Sequence, residues 1–279
     1  MTGRPRWLTV LLYLALVLAA VFFVIPVLWT LVSSFKPEND IQSYPPQWIP
    51  HPSTTKNYAE VLGSYPYLRW MLNSIVISVL GTVGILICST LAAYALARFQ
   101  FPGRRMLFQS IIVMLLIPIQ AYVIPLYLMA ARADLLNTYP GLILPLIANV
   151  TSIFILHAFF KALPSELEQA ARIDGASEFR IFWQIMLPLS KPALSTVAIL
   201  TFIANWNSFL WPLIAVRQDA MMPLPVAISR YWGSVNQNAS FQYGTALAAC
   251  SMAVIPTILV YLALQRYFVE GIANSGIKG

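Results

Sequence analysis

Six long stretches without a charged side chain constrain the fold of this chain more than any other feature. They cover residues 7–35, 70–97, 106–131, 135–160, 192–216 and 231–265. A helix needs about 20 residues to cross a hydrocarbon core of about 30 Å, and a charge at its centre costs about 2.5–3.5 kcal/mol on insertion scales. Each stretch is long enough, so the sequence predicts an all-α integral membrane protein with six transmembrane helices. Residues 231–242 are rich in Asn and Gln, so we expect the sixth helix to begin near Tyr243 or Gly244.

The composition excludes several other classes of protein. Hydrophobic residues make up 59% of the 279 residues and charged residues only 10%, which is too few to cover a soluble globule of this size. The net charge of +7 comes from basic residues scattered beside apolar stretches, so nucleic-acid binding is not expected. Cys88 and Cys250 lie inside apolar stretches and are expected to be small core residues. No metal site is predicted, because His51 has no second His or Cys at ligand spacing and His157 is isolated.

Prolines occur within or beside the predicted spans and are expected to kink them, since each removes a backbone hydrogen bond. They are Pro26, Pro118, Pro125, Pro145, Pro212 and Pro256. The first stretch is too long for the apolar region of a secretory signal, so we expect it to remain as a membrane helix and not to be cleaved.

The distribution of Lys and Arg predicts the orientation. With a cytoplasmic N-terminus, eleven of the 17 basic residues fall on the inner side, and the positive-inside rule therefore favours both termini in the cytoplasm. The eleven are Arg4, Arg6, Arg98, Arg104, Arg105, Lys161, Arg172, Arg180, Lys191, Arg266 and Lys278. The tight turn 98–105 is then cytoplasmic, and we expect its arginines to meet lipid headgroups.

The longest charge-bearing interruption, residues 166–188, reads ELEQAARIDGASEFRIFWQIMLP. Ser165 and Glu168 have the spacing of a capping box, in which each side chain accepts a hydrogen bond from a free N–H at a helix start. Gly175 lies where a left-handed residue would end this helix. The apolar side of the helix is expected to comprise Leu167, Ala170 and Ala171.

A second helix is predicted to begin after Ser177, whose hydroxyl suits the N-cap position, and to stop at Pro188. Its apolar side chains recur at helical spacing, with Arg180 and Gln184 between them. They are Phe179, Phe182, Trp183, Met186 and Leu187. Two short amphipathic helices joined by a turn, placed between two membrane spans, are interpreted as a docking element for another subunit, and the alternative is an amphipathic loop that lies on lipid headgroups.

The fifth stretch carries a polar and aromatic cluster at membrane depth or near one interface. Its members include Asn205, Trp206, Asn207, Ser208 and Trp211. Amides can hydrogen-bond a polyol and an indole can stack on a sugar ring, which makes this cluster a candidate for the translocation path. The alternative is that it joins helices and contributes to an interfacial aromatic belt.

Motifs for energy conversion are missing from the sequence. It contains no Gly-x4-Gly-Lys-Ser/Thr run that could cradle nucleotide phosphates, and no carboxylate or Lys lies inside a predicted span. Paired carboxylates, Ser/His/Asp sets and metal-ligand clusters of an enzyme are also missing. A polytopic protein of this kind needs an external source of energy.

The interruption resembles the cytoplasmic motif of ABC importer permeases, in which EAA is followed by three residues, Gly, nine residues, Ile, one residue and Leu-Pro. The matching residues are Gln169, Ala170, Ala171, Gly175, Ile185, Leu187 and Pro188. The wording AARIDGAS, the six spans and the Trp-Asn cluster are similar to the carbohydrate-uptake, MalG-like subgroup, and the resemblance covers nearly the whole chain. One departure is that Gln169 replaces the Glu of the motif, with the acidic group one residue earlier at Glu168.

This resemblance implies a type I ABC importer permease fold in the inner membrane of a prokaryote. It implies three kinds of protein partner besides lipid: a homologous second permease, two ATP-binding subunits and an extracytoplasmic solute-binding protein. ATP and Mg²⁺ are expected on the ATP-binding subunits, whereas this chain is expected to bind no cofactor and to be no enzyme. Docking residues implied by the motif are Glu168, Gln169, Ala170, Ala171, Asp174, Gly175, Ala176, Ile185, Leu187 and Pro188.

The predicted organisation comprises a first helix in residues 1–35, an extracytoplasmic loop in 36–69, a permease core in 70–267 with the docking loop 161–191, and a cytoplasmic tail in 268–279. The implied substrate is a di- or oligosaccharide. Glycerol phosphate, another polyol or a different solute is the alternative within the family. A secondary transporter or a membrane enzyme is the alternative outside it.

Overall fold

The computed structural model describes residues 6–232 and 242–275. Within these residues, each of the six apolar stretches contains helix. In chain order the α-helices are α1 (Arg6–Ser33), α2 (Glu38–Ile41), α3 (Lys56–Ser64), α4 (Tyr67–Arg98), α5 (Arg104–Val113), α6 (Ile119–Arg132), α7 (Tyr139–Ile147), α8 (Val150–Ala162), α9 (Glu166–Ile173), α10 (Glu178–Ile181), α11 (Leu187–Leu189), α12 (Lys191–Trp206), α13 (Leu210–Ala215), α14 (Leu224–Trp232) and α15 (Tyr243–Ser275). No strand occurs among the residues described. The all-α prediction is therefore confirmed.

Three segments are each long and apolar enough to cross a membrane as one helix. They are Trp7–Ser33, Tyr67–Arg98 and Tyr243–Ala263. The remaining candidates among the residues described are three helix pairs bent at a short break, which give up to six crossings if each pair is counted as one span. The first half of the third pair, Glu178–Leu189, belongs mostly to the segment 166–188. The sixth helix begins at Tyr243, as predicted. Of the polar segment before it, residues 231 and 232 complete α14, which was not predicted, and residues 233–241 lie outside the described part of the chain.

The predicted third and fourth spans are broken and not merely kinked. Arg104–Leu116 and Ile119–Arg132 meet at 103°, and the break contains Pro118. Ile117 before it is extended, because a proline ring disfavours the helical conformation of the preceding residue. In the fourth stretch the helices bend by 42°, and the Asn149 side chain restarts the helix by accepting the N–H of Ser152 at 2.9 Å.

The fifth stretch also differs from the single helix predicted for residues 192–216. Helix α12 ends at Trp206, and α13 begins only at Leu210. Pro212 lies in the first turn of α13, where its missing N–H would have had no partner within the helix. Pro26, Pro125, Pro145 and Pro256 lie inside α1, α6, α7 and α15, respectively.

The chain divides into two units, the first comprising Met1–Leu68 and Ile228–Ile255. In it the loop after α1 is held by Asn57, whose side-chain amide donates to the carbonyls of Ser34 at 2.8 Å and Lys36 at 2.9 Å. The Glu38 carboxylate accepts the backbone N–H groups of Tyr243 and Gly244 at 2.6 and 2.8 Å. It thereby satisfies free donors at the start of α15, where a negative charge is favourable.

The second unit comprises Arg69–Ala227 and Pro256–Gly279. Its helix α4 carries Asn73, whose amide donates at 2.9 Å to the carbonyls of both Ala220 and Met222 and whose oxygen accepts the Tyr139 hydroxyl at 2.7 Å. Buried amides stabilise a membrane protein only when their hydrogen bonds are made in this way. At the other end of α4 an apolar core forms beneath the 166–188 segment.

Candidate functional site

The segment 166–188 forms the predicted helix–turn–helix. Helix α9 ends in a Schellman motif, in which Gly175 has a φ of 80°, its N–H donates to the Arg172 carbonyl at 3.1 Å, and the Ala176 N–H donates to Ala171 at 2.9 Å. The left-handed glycine is therefore confirmed. The Ser177 hydroxyl accepts the N–H of Arg180 at 3.3 Å and caps α10, as predicted.

The capping box predicted from Ser165 and Glu168 is not formed. Ser165 has a helical conformation and its side chain makes no capping hydrogen bond. Glu168 does not return to the helix start, because its side chain is only 5% exposed and lies 3.2 Å from the Arg98 guanidinium, measured from Oε1 to Nε. The buried face of α9 thus comprises Glu168 and Ala171, whereas Leu167 and Ala170, predicted to lie on the apolar side with Ala171, are exposed.

Arg98 connects this segment to the end of α4. Its side chain is 9% exposed, faces the Glu168 carboxylate and donates to the Leu163 carbonyl at 2.7 Å. We had expected Arg98 to meet lipid headgroups, and this is wrong because the carboxylate offers a buried counter-charge. Burial raises the pKa of the Glu168 carboxyl above its ordinary value, while Arg98 and Arg172 oppose this shift by stabilising the ionised form.

A second ion pair joins the two helices across the turn. Two of the three guanidinium nitrogens of Arg172 donate to the Glu178 carboxylate, Nε to Oε1 at 2.6 Å and one terminal nitrogen to Oε2 at 3.1 Å. The Glu168 carboxylate is 3.7 Å from the same terminal nitrogen. Arg172 therefore links a buried carboxylate on α9 to an exposed one on α10.

The second helix does not stop at Pro188. Residues Phe182–Met186 form a π turn, closed by the N–H of Leu187 donating to Phe182, and the helix continues to Leu189. The wider turn immediately precedes Pro188, whose missing N–H would otherwise interrupt the regular pattern. The direction then changes by 73° between Glu178–Leu189 and Lys191–Trp206.

An apolar core seats the helix–turn–helix on the membrane helices. It combines α4, α8 and α12 with the segment itself, and its buried members are Ala93, Tyr94, Ala97, Leu156, Phe160, Ala171, Ile181, Phe182, Met186, Ala193 and Val197. The Tyr94 ring lies 5.0 Å from Phe182 and 5.5 Å from Phe160, measured between centroids. The segment is therefore packed directly against the ends of these helices.

The outer face of the segment is open. Ile173 is 87% exposed, Phe179 70% and Trp183 51%. The motif residues differ in exposure: Gln169, Ala170, Asp174, Gly175 and Pro188 are exposed, whereas Ala176, Ile185 and Leu187 are half-buried and pack against the apolar core. Three large apolar side chains are therefore exposed on a segment that also carries charges.

The structure separates the cluster predicted for the translocation path. Trp206 and Trp211 are buried, and the Trp211 indole donates to the Gly141 carbonyl at 3.1 Å. Asn205 is buried between helices, with its amide nitrogen 3.4 Å from the Thr82 hydroxyl on α4. Asn207 is exposed at the break after α12, and its amide donates only to the Ile203 carbonyl of the same helix.

Two features of the site were missed from the sequence. The partner of Glu168, Arg98, is 70 residues away in the chain. The sequence shows only that a charged residue directly follows the apolar stretch 70–97, which does not identify its partner. The Arg172–Glu178 pair spans the turn at a separation that no regular helix spacing indicates. His157, by contrast, is packed as expected, with its ring stacked on Phe108 at 4.1 Å.

Comparison with known proteins gives a consistent result. Residues 84–274 match the family model described as "binding-protein-dependent transport system inner membrane component". The sn-glycerol-3-phosphate transport system permease protein UgpE of Yersinia pestis bv. Antiqua (strain Antiqua) is 35% identical over 99% of both chains. The arabinooligosaccharides transport system permease protein AraQ of Halalkalibacterium halodurans is 34% identical over 98% of this chain and 96% of that protein.

Among solved structures, a chain of a bacterial ABC transporter involved in the import of the acidic polysaccharide alginate superposes with a TM-score of 0.84. It is 26% identical, and the match covers 96% of this chain and 99% of that one. The all-helical fold and the family match extend over the helix–turn–helix and the membrane helices that seat it. The chain therefore belongs to the family of binding-protein-dependent transport system inner membrane components, the permeases of ABC importers.

Proposed function

We propose that this chain is one of two homologous permease subunits of an ATP-driven importer for a sugar, with a di- or oligosaccharide as substrate. The segment 166–188 is its contact with an ATP-binding subunit. Two such subunits carry the ATP and Mg²⁺, and an extracytoplasmic binding protein delivers the solute. Both termini and the segment 166–188 lie in the cytoplasm. The family is one of transport permeases and not of enzymes.

The docking proposal rests on the difference between the two sides of the helix–turn–helix, one packed against the membrane helices and one exposed. Its inner side is fixed by the buried Glu168–Arg98 pair and the apolar core, whereas Ile173, Phe179 and Trp183 remain exposed on its outer side. Exposed aromatic side chains on a rigid support are typical of interaction hot spots. Because Phe182 of the same segment packs against Tyr94, movement of a bound subunit would reach α4 directly.

Two observations bear on the substrate. The relative from Halalkalibacterium halodurans belongs to a transport system for arabinooligosaccharides, and the superposed structure to an importer of a polysaccharide. The relative from Yersinia pestis belongs to a transport system for sn-glycerol 3-phosphate, which makes that solute a second candidate. Sugars lead because two of the matched systems handle saccharides and the sequence places no cationic side chain in the fifth stretch for a phosphate.

The proposal is tested by ATP hydrolysis in the assembled complex. The chain is purified with its partner permease and ATP-binding subunits, reconstituted in lipid, and supplied with its binding protein and either an oligosaccharide panel or glycerol 3-phosphate. We expect hydrolysis to rise several-fold with one oligosaccharide and not with glycerol 3-phosphate. Stimulation by glycerol 3-phosphate alone would select the second candidate. Solute transport by the purified chain without ATP would contradict the importer and indicate a secondary transporter.

Alanine variants of Asn205 and Asn207 separate a pathway role from a packing role. Asn207→Ala is expected to lower solute-stimulated ATP hydrolysis several-fold without changing thermal unfolding, because Asn207 is exposed and bonded only within its own helix. Asn205→Ala is expected to lower the free energy of unfolding by about 1 kcal/mol, since it removes a buried contact between helices. Normal hydrolysis by Asn207→Ala would remove this residue from the path.

A further inference from the structure

We propose that a cleft at the shared end of α4, α5 and α8 binds the phosphate headgroup of an anionic phospholipid. The cleft has a volume of about 780 Å³ and is lined by three basic side chains, Arg104, Arg105 and Lys161. The ring of His157 also lines it. None of its lining residues is Asp or Glu, so the basic charge of the cleft has no internal counter-ion. This surface is separate from the outer face of the segment 166–188 proposed above as the ATPase contact.

The local structure fixes the basic groups in place. Arg104 donates to the carbonyls of Phe99 at 3.0 Å and Ala97 at 3.3 Å, at the last turn of α4, which orients its guanidinium with N–H groups left over. Helix α5 begins at this point, and its N-cap Gly103 has no side chain, which leaves the N–H groups of Arg105 and Met106 without a side-chain cap, whereas the Arg104 N–H donates to the Phe101 carbonyl at 3.3 Å. A cluster of cations beside a ten-residue helix start is a favourable environment for a phosphate.

The apolar part of the lining identifies a lipid as the source of that phosphate. Phe101, Met106 and Phe108 line the same cleft, and Met106 is 74% exposed. Immediately beyond the cleft, α5 continues into an apolar stretch that is exposed on the chain. A free phosphate would gain nothing from these side chains, whereas the acyl chains of a phospholipid would cover them. Basic pockets between membrane helices are known to suit anionic headgroups.

The location fits the depth of a headgroup. Arg104 and Arg105 directly precede the apolar stretch 106–131, and Lys161 directly follows the stretch 135–160. The three charges therefore lie where hydrocarbon gives way to the polar region of the bilayer. This inference needs neither the sugar nor the ATP-binding subunits, so it stands or fails independently of the transport function proposed above.

Lipid titration of the full-length chain tests the proposal. The delipidated protein in detergent is titrated with phosphatidylglycerol, phosphatidylcholine or inorganic phosphate, and bound lipid is counted by native mass spectrometry. We expect phosphatidylglycerol to bind about tenfold or more tightly than phosphatidylcholine, and the double variant R105Q/K161Q to lose that preference. Inorganic phosphate at millimolar concentration is expected to leave phosphatidylglycerol bound.

Two control variants make the result specific. R132Q/K56Q removes the same number of exposed charges elsewhere and is expected to keep the preference, as is R105K/K161R, which conserves the charge in the cleft. Equal binding of the two lipids, an unchanged preference in R105Q/K161Q, or its loss in R132Q/K56Q would each overturn the site. Displacement of the lipid by inorganic phosphate would show that the cleft selects a free anion, and would overturn the lipid assignment.

Discussion

Replacing Glu168 with alanine is expected to release α9 from the membrane helices. The Glu168 side chain is 5% exposed and its partner Arg98 9%, so the variant leaves a guanidinium buried with the Leu163 carbonyl as its remaining acceptor. Removal of one partner of a buried ion pair costs about 3–5 kcal/mol. Local opening of residues 166–176 should therefore become at least about 100-fold more frequent. Amide hydrogen exchange of the full-length chain, followed by mass spectrometry, measures this directly.

Two further variants test the physical reason. Glu166→Ala removes an exposed carboxylate from the same helix and is expected to change exchange in α9 by less than tenfold. The double variant Arg98→Met with Glu168→Leu removes both charges and leaves an apolar contact of similar volume, which is often neutral or stabilising. It is therefore expected to restore slow exchange. If Glu168→Ala exchanged like the natural chain, the ion pair would have no structural importance.

Replacing Gly175 with valine is expected to weaken binding of the ATP-binding subunit while leaving membrane insertion intact. Gly175 has a φ of 80°, and a Cβ added there would meet nothing within 4 Å. The cost therefore comes from the backbone conformation alone, about 1–2 kcal/mol for a residue with a side chain, and more for a β-branched one. The Schellman motif would distort and alter the angle between α9 and α10. Co-purification of the ATP-binding subunit and stimulated ATP hydrolysis should both fall several-fold.

Substitutions of graded cost separate this explanation from a general loss of stability. Gly175→Asn should be mildest, because Asn tolerates the left-handed conformation, and Gly175→Ala should fall between Asn and Val. Gly63→Ala is the matched control, since a Cβ there also meets nothing within 4 Å and the glycine lies in helix α3 without a positive φ. Equal co-purification for all four variants would contradict the proposed role of the turn.

Local chemistry explains which parts of the site could be predicted from sequence. The left-handed turn at Gly175 and the cap at Ser177 depend on neighbouring residues, and both are present in the structure. The capping box at Ser165 failed although its spacing was correct. A buried guanidinium competes for the same carboxylate, and pairing it is worth more than satisfying one solvent-accessible N–H. The helix predicted to end at Pro188 ends one residue later, at Leu189, after a π turn at Phe182–Met186.

The membrane helices show the same division. Hydropathy alone located every apolar stretch, and the start of α15 at Tyr243 followed from the change to polar residues before it. The helix breaks near Pro118, at Asn149 and after Trp206 were not predicted from the sequence. A proline or an amide inside a membrane span is compatible with either a kinked or a broken helix. The choice depends on which neighbouring groups satisfy the freed backbone.

The sequence by itself determined that this chain is helical, crosses a membrane, and carries a helix–turn–helix with the spacing of an ABC importer permease. These properties follow from hydropathy over about 20 residues and from turn chemistry over a few. Only the tertiary structure decided that Glu168 faces inwards to Arg98, that Ile173, Phe179 and Trp183 remain open, and that Asn205 is buried while Asn207 is not. Burial and pairing of these side chains depend on contacts with residues distant in the chain, and a local sequence pattern does not report the free energy of such contacts.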